Sequence, residues 1–343
     1  MKKLLNILYI TLEDVYISKD GENVVILKDN QVLKRFPIHI LQGIVCFNYS
    51  GVSPSLMKFA MENNLLISFF TPQGKFCGRI LGKTNGNVLL RREQYRLADD
   101  TNNIEFVKNI IYAKIFNSKK ILQRAIRDHG ERLDKKRLEQ AVSLFDRSMQ
   151  DLIKTNNRDT VRAIEGSAAQ QYFSVFDEMI LSQRQDFYFI GRNRRPPEDP
   201  VNALLSFTYS MLTYEIQSAL EGVGIDSYVG FFHVDRPGRA SMALDIIEEL
   251  RGYMCDRLVL TLINKNIISR KDFEYKENGS VLLNEKGRGK VIENWQKRKQ
   301  VEIQHPYIDE KIKIGLIPHV QALLLSRYIR GDLETYPPFL MKG

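Results

Sequence analysis

The chain begins in a two-residue rhythm and ends in a helical one. Along NILYITLEDVYISKDGENVVILKDNQVLKRFPI (6–38) apolar and polar positions alternate, as half-buried strands require, and KDGEN and KDNQ punctuate the runs as turns. GIVCFNYSG adds a further strand. SPSLMKFAMENN spaces Leu56, Phe59 and Ala60 as one short helix, and LLISFFTPQGKFCGRILG returns to strand, turn and strand. From Ile104 the period lengthens. Phe106, Ile110, Ile111 and Ile115 form a helical stripe, with Lys108, Lys114, Lys119, Lys120, Arg124 and Arg127 off it. Helical spacing continues in LDKKRLEQAVSLFDRSMQDLIK, DTVRAIEGSAAQQYFSVFDEMI, NALLSFTYSMLTYEIQSALEGVG, MALDIIEELRGYMCDRLVLTLINK and HVQALLLSRYIRG.

These patterns predict an α+β chain of two domains. A small, mainly antiparallel β domain with one short helix occupies 1–95, RLADDTNN (96–103) links, and a larger all-α domain fills 104–343. The basic stretch QRQDFYFIGRNRRPPEDP is the longest expected irregular segment.

Charge then narrows the partners. Fifty Lys and Arg against 41 Asp and Glu leave +9, which favours polyanions such as nucleic acid. Cys46, Cys77 and Cys255 show no CxxC spacing, so neither a disulfide framework nor a structural zinc site is expected. MKKLLNILYI imitates a signal peptide, but Glu13 and Asp14 interrupt it; no run is long enough to span a bilayer, and a cytoplasmic protein is expected.

Two places could carry chemistry. Glu165 lies two turns into a helix capped by Asp159 or Thr160, and Gly166, Ser167, Ala168 and Ala169 beside it leave room for a ligand. Alone it reads equally as a solvated helix residue. His233 ends the strand-like run YVGFFH, and after VDRPGR a helix places Asp245, Glu248 and Glu249 on one side. Such carboxylates repel unless a cation sits among them, either a divalent metal or Arg236, Arg239 and Arg251. Carboxylates with one imidazole suit Mn²⁺ or Mg²⁺, ions that serve phosphodiester chemistry. EKGRGK (285–290) reads as a mobile loop, phosphate-contacting or simply solvated. P-loop, GxSxG, HExxH and strand-borne GxGxxG motifs are absent.

AIEGSAAQQYF, DPVNALLSFTYSMLTYEIQSALEGVGIDSYVGFFH and GRASMALDIIEELRGYMCDRLVL, in that order, resemble three blocks of the CRISPR-associated integrase family, Cas1. The resemblance covers essentially the whole chain. It implies a metal-dependent DNA endonuclease that inserts spacers into CRISPR arrays by attack of a 3′-hydroxyl on a repeat phosphodiester. It implies metal ligation by Glu165, His233 and Glu248, with Asp245 as the alternative acidic position and Asn202 supporting nearby. Its implied partners are protospacer and repeat DNA, a second copy, and the small ferredoxin-like protein Cas2. HPYIDEKIKIGLIPHVQALLLSRYIRGDLETYPPFL is similar to the type I-C version. Arg192, Arg194, Arg195, Lys286, Arg288 and Lys290, with the basic helix 104–128, are the expected phosphate-backbone contacts. A non-catalytic DNA-binding scaffold and a hydrolytic nuclease for branched DNA remain the alternatives.

Overall fold

The computed structural model describes residues 6–342 apart from 48–50, 64, 72–75, 81–86, 101–102 and 195. Arg195 therefore lies outside the described residues. The chain divides into two compact units, Met1–Asn85 with Leu283–Glu293, and Gly86–Leu282 with Asn294–Gly343.

In the first unit the alternating segments form β1 (Asn6–Ile10), β2 (Tyr16–Asp20), β3 (Asn23–Lys28), β4 (Gln31–Pro37), β5 (Leu41–Cys46), β6 (Gly51–Val52), β7 (Leu66–Phe70) and β8 (Phe76–Ile80). The expected KDNQ turn is a two-residue hairpin: Asp29 and Asn30 take φ of 50° and 61°, the left-handed pair that matches strand twist. The sheets run β1-β5-β7-β8 and β4-β3-β2-β6. Parallel pairing is more common than alternation alone suggested, because β1 joins β5, β5 joins β7 and β2 joins β6 in parallel, whereas only the hairpins are antiparallel. The predicted helix is α1 (Pro54–Asn63), and its buried Leu56 and Ala60 share a core with Ile17, Val24, Ile44 and Ile67.

The helical unit starts earlier than expected. α2 (Val88–Asp99) runs through the end of the expected β domain and into the expected linker, started by Asn87, whose side chain accepts from Leu89 N–H and Leu90 N–H. There follow α3 (Ile104–His129), α4 (Lys135–Lys154), α5 (Arg158–Ser174), α6 (Pro200–Gly222), α7 (Ser241–Arg251), α8 (Arg257–Asn264), α9 (Glu285–Lys299) and α10 (Ile317–Ile329). Two short ribbons, β9 (Phe273–Tyr275) with β10 (Val281–Leu283) and β11 (Glu302–Gln304) with β12 (Lys311–Lys313), interrupt an otherwise helical body. α6 is its axis: Val201, Leu204, Leu205, Leu212, Ile216 and Leu220 are all 0% exposed. α7 and α8 are joined by a π-helical turn, Gly252–Asp256, a geometry that recurs at functional sites. EKGRGK is not a loop. It opens α9, and Arg288 turns inward, 5% exposed, donating to the Leu283 carbonyl at 2.9 Å. Among the described residues no helix is long and apolar enough to cross a membrane.

One buried histidine sets an acid limit on this unit. His305 is 0% exposed, its Nδ1 accepts from the N–H groups of Tyr307 and Ile308 at 3.3 and 3.4 Å, and burial lowers its pKa from 6.5 to about 4. The neutral ring is favoured in the fold, so its contribution is complete above pH 6.5 and fades as pH falls towards 4. At about 1.36 kcal/mol per unit that loss approaches about 3 kcal/mol. His305→Asn keeps an acceptor for the two N–H groups but cannot titrate. Urea unfolding at about pH 7 and about pH 4.5 should show a shallower acid loss in the variant; equal losses would refute the assignment.

Candidate active site

The three neighbouring carboxylates of α7 share no single cation; each has its own partners. Asp245, 0% exposed, accepts from the backbone N–H groups of Phe231 (2.6 Å), Phe232 (2.9 Å) and His233 (2.9 Å). That is why YVGFFH is not the expected strand: donors a strand would give a neighbour go to this carboxylate. Gly230 permits the approach, since a Cβ there would lie 2.8 Å from Ser241 Cβ and 3.0 Å from Asp245 Oδ2. Asp245 Oδ1 also lies 2.7 Å from His233 Nδ1. A carboxylate only accepts, so Nδ1 carries the proton and Nε2 keeps its lone pair for a ligand.

Glu249 faces away, towards the end of the chain. It accepts from Tyr336 Oη at 2.6 Å, from Gln321 Nε2 at 3.1 and 3.2 Å, and from the Phe339 N–H. Burial outweighs these donors and raises its carboxyl to about 7.

Glu248 faces α3 and α5. Its Oε2 lies 2.8 Å from Lys114 Nζ and 3.2 Å from Arg251 Nη2, and Lys114 also bonds Glu165 Oε1. Burial would raise the Glu248 carboxyl, but Arg251 and Lys114 together hold it down at about 2. Asn157, not Asp159 or Thr160, starts α5, accepting from Thr160 N–H at 2.9 Å, and two turns later Glu165 is presented to Lys114. As its small neighbours suggested, Ala168 and Ala169 line the cleft beside this cluster, together with Ser118, Tyr172 and Asp256.

A second polar cluster borders the same cleft. Asp256, on the π turn, accepts from Tyr172 Oη at 3.0 Å and Tyr209 Oη at 2.6 Å, and burial raises its carboxyl. The Arg192 and Arg251 guanidinium carbons lie 5.4 and 5.8 Å from the Tyr209 ring centre. Arg192 is held by Asn202 Oδ1 at 2.7 Å and Ser206 Oγ at 3.0 Å. Asn202 is fully buried, and its Nδ2 reaches the Gly191 carbonyl at 2.8 Å and Asp199 Oδ2 at 2.6 Å. Its place is thus to fasten the Arg192 loop.

The structure accordingly joins Glu165 and Glu248 through Lys114 and, separately, ties Asp245 to His233. Among the described residues no three His, Cys, Asp or Glu side chains are gathered as a ready ligand set. The donor chemistry nevertheless fits Mn²⁺ or Mg²⁺. Two carboxylates, Glu165 and Glu248, converge on one place, and buried Glu248 Oε2 carries ion pairs but no hydrogen bond of proper geometry. Of the expected surface contacts, Arg194 and Lys286 are exposed, Lys290 is half-buried, and Arg192 and Arg288 point inward, where their donors serve the fold. Lys114, Tyr172, Tyr209 and Asp256 were not foreseen as parts of the site, whereas Arg251 is the one of the three arginines considered that pairs with Glu248. Lys114 could have been: it falls seven residues after Val107 and seven before Ile121, on the apolar face of α3.

The profile of CRISPR associated protein Cas1 matches residues 8–297. A CRISPR-associated endonuclease Cas1 of Chlorobaculum tepidum is 45% identical over 343 residues, all of both chains. A casposase bound to integration product shares the fold at TM-score 0.81 and 22% identity, covering 96% of this chain and 92% of its own. A chain of a Cas6-RT-Cas1–Cas2 complex gives TM-score 0.82 at 20% identity, over 100% of this chain and 37% of its own. The chain belongs to the CRISPR-associated Cas1 family, and it is an enzyme of the endonuclease class.

Proposed function

We propose that this protein is the metal-dependent integrase of CRISPR adaptation, joining the 3′-hydroxyl of a short DNA to a phosphodiester of the repeat by transesterification. The observation that carries the reading is the convergence of Glu165 and Glu248 on one buried cation, with His233 fixed by Asp245 one turn along α7 from Glu248. Mn²⁺ or Mg²⁺ held by Glu165, Glu248 and His233 would neutralise phosphoryl charge and activate the attacking hydroxyl. Asp245 fixes the imidazole tautomer, and Arg251 and the low pKa of Glu248 keep that carboxylate ionised at any working pH. Glu248, whose Oε2 is met only by the cations Lys114 and Arg251, suits direct ligation; Asp245, whose two oxygens are taken up by the 231–233 backbone and His233, suits orientation. The test is a branched DNA carrying a 3′-hydroxyl at the junction, with Mn²⁺ added or withheld. Joined product only with Mn²⁺ supports the reading, and cleavage without joining would favour the hydrolytic nuclease.

DNA as substrate is supported by the net charge of +9 and by the casposase likeness, and Cas2 as partner by the likeness to a chain from a Cas1–Cas2 complex. A second copy is supported by β4, an exposed edge strand whose Val32 and Leu33 are 47% and 46% exposed. The I-C assignment rests on the C-terminal resemblance. Arg194 and Lys286 are the exposed bases that suit phosphate binding. Neutralising both should weaken binding of unrelated DNA sequences alike and flatten the log–log salt slope by about 0.9 for each phosphate no longer neutralised. An unchanged slope would place these side chains off the DNA, and light scattering on the same samples would report a monomer if β4 does not pair.

A further inference from the structure

We propose that Lys114 is the built-in counter-cation of the metal seat: its ammonium holds Glu165 and Glu248 together, and a divalent ion must displace it to bind. The proposal rests on the metal-dependent reading of the site. Lys114 is 5% exposed, an uncommon burial for a lysine, and it bonds both carboxylates at once. Arg251 approaches Glu248 as well, with Nη2 to Oε2 at 3.2 Å and Nη1 to Oε1 at 3.5 Å. Among the described residues, however, Lys114 is the one cation paired with both carboxylates.

The two carboxylates of the seat, Glu165 and Glu248, are already met by two cations, Lys114 and Arg251. A dication added to that set would put two like-charged groups on Glu248 Oε2, the oxygen 2.8 Å from Lys114 Nζ. A Mg²⁺–oxygen bond is about 2.1 Å, so metal and ammonium would sit nearly in contact. Exchange avoids this, since the ion takes the carboxylates and the lysine leaves. Without metal the carboxylates stay side by side instead of repelling, so the seat is preformed. Metal affinity is attenuated, because each binding event must first break a buried ion pair.

The wild-type protein tests the displacement directly. Reductive methylation of lysines, read by mass spectrometry, should leave Lys114 protected without metal and label it at least about fivefold faster in saturating Mg²⁺. Binding of Mn²⁺, followed by electron paramagnetic resonance, should tighten at least about tenfold in Lys114→Met. The control is Lys119→Met, five residues along α3 and paired with Asp146 outside the seat, which should bind as wild type does. Unchanged labelling on Mg²⁺ addition, or unchanged or weaker Mn²⁺ binding by Lys114→Met, overturns the proposal. An equal gain from Lys119→Met also does, since it would reveal only a general charge effect. If Lys114→Met cannot fold without metal, the wild-type labelling decides alone. If wild type and both variants bind no Mn²⁺, the metal reading itself fails and takes this one with it.

Discussion

Glu165→Gln will lower Mn²⁺-dependent strand transfer by about three orders of magnitude while leaving the protein folded. The figure corresponds to about 4 kcal/mol of lost transition-state charge stabilisation, the scale on which a bound Lewis acid works. Glutamine keeps an oxygen for Lys114 but is a poor ligand for a hard cation. Because the Glu165 side chain is 23% exposed, the exchange leaves no bare charge in the core. Glu248→Gln should be equally inactive but less stable, since Glu248 is 8% exposed and buried Arg251 would lose its partner. Strand transfer and melting temperature, measured together, separate the two variants. If Glu165→Gln kept about a tenth of wild-type activity, Glu165 would not be a ligand.

Replacing the terminal 3′-hydroxyl of the incoming strand by hydrogen should abolish joining, with DNA binding nearly unchanged. Transesterification trades one phosphodiester for another and is close to energy-neutral, so it needs no nucleotide triphosphate, in keeping with a sequence that carries no P-loop. On the proposed transesterification the nucleophile comes from the substrate. A ligand set of carboxylates and imidazole activates water as readily as a sugar hydroxyl, so product identity, resolved on a denaturing gel, is what discriminates. Joined strands formed without the hydroxyl would sink the mechanism.

Element type was written plainly in the chain because periodicity reports burial. β1 to β8, α1, α3 to α8 and α10 follow it, whereas α9 and the two short ribbons β9–β10 and β11–β12 do not. Parallel pairing escaped notice because alternation says which face is buried and nothing about which strand lies beside it. α2 and the start of α9 were misread for another reason. Their polar surfaces resemble loops until caps such as Asn87 are noticed. At the site, residue types and spacing pointed to Glu165, His233 and the acidic turn of α7, yet could not divide labour among Asp245, Glu248 and Glu249. One helical turn separates them by about 5 Å, and their roles diverge because a loop, a lysine and a C-terminal segment approach from different directions. Those approaches are tertiary facts. Lys114 was the exception, visible as a lysine on an apolar stripe but counted with the surface charges.

The bonds of Glu249 also bear on how the enzyme is made. The acidic turn of α7 is closed by Tyr336 and Phe339, 87 and 90 residues downstream of Glu249. A nascent chain on the ribosome can form the β sheets and pair α3 with α4 long before those residues exist. It cannot complete the clamp on α7 until they have emerged. Synthesis therefore orders assembly: the sheets and the α3–α4 pair can form first, and the clamp on α7 closes only after Phe339 has emerged.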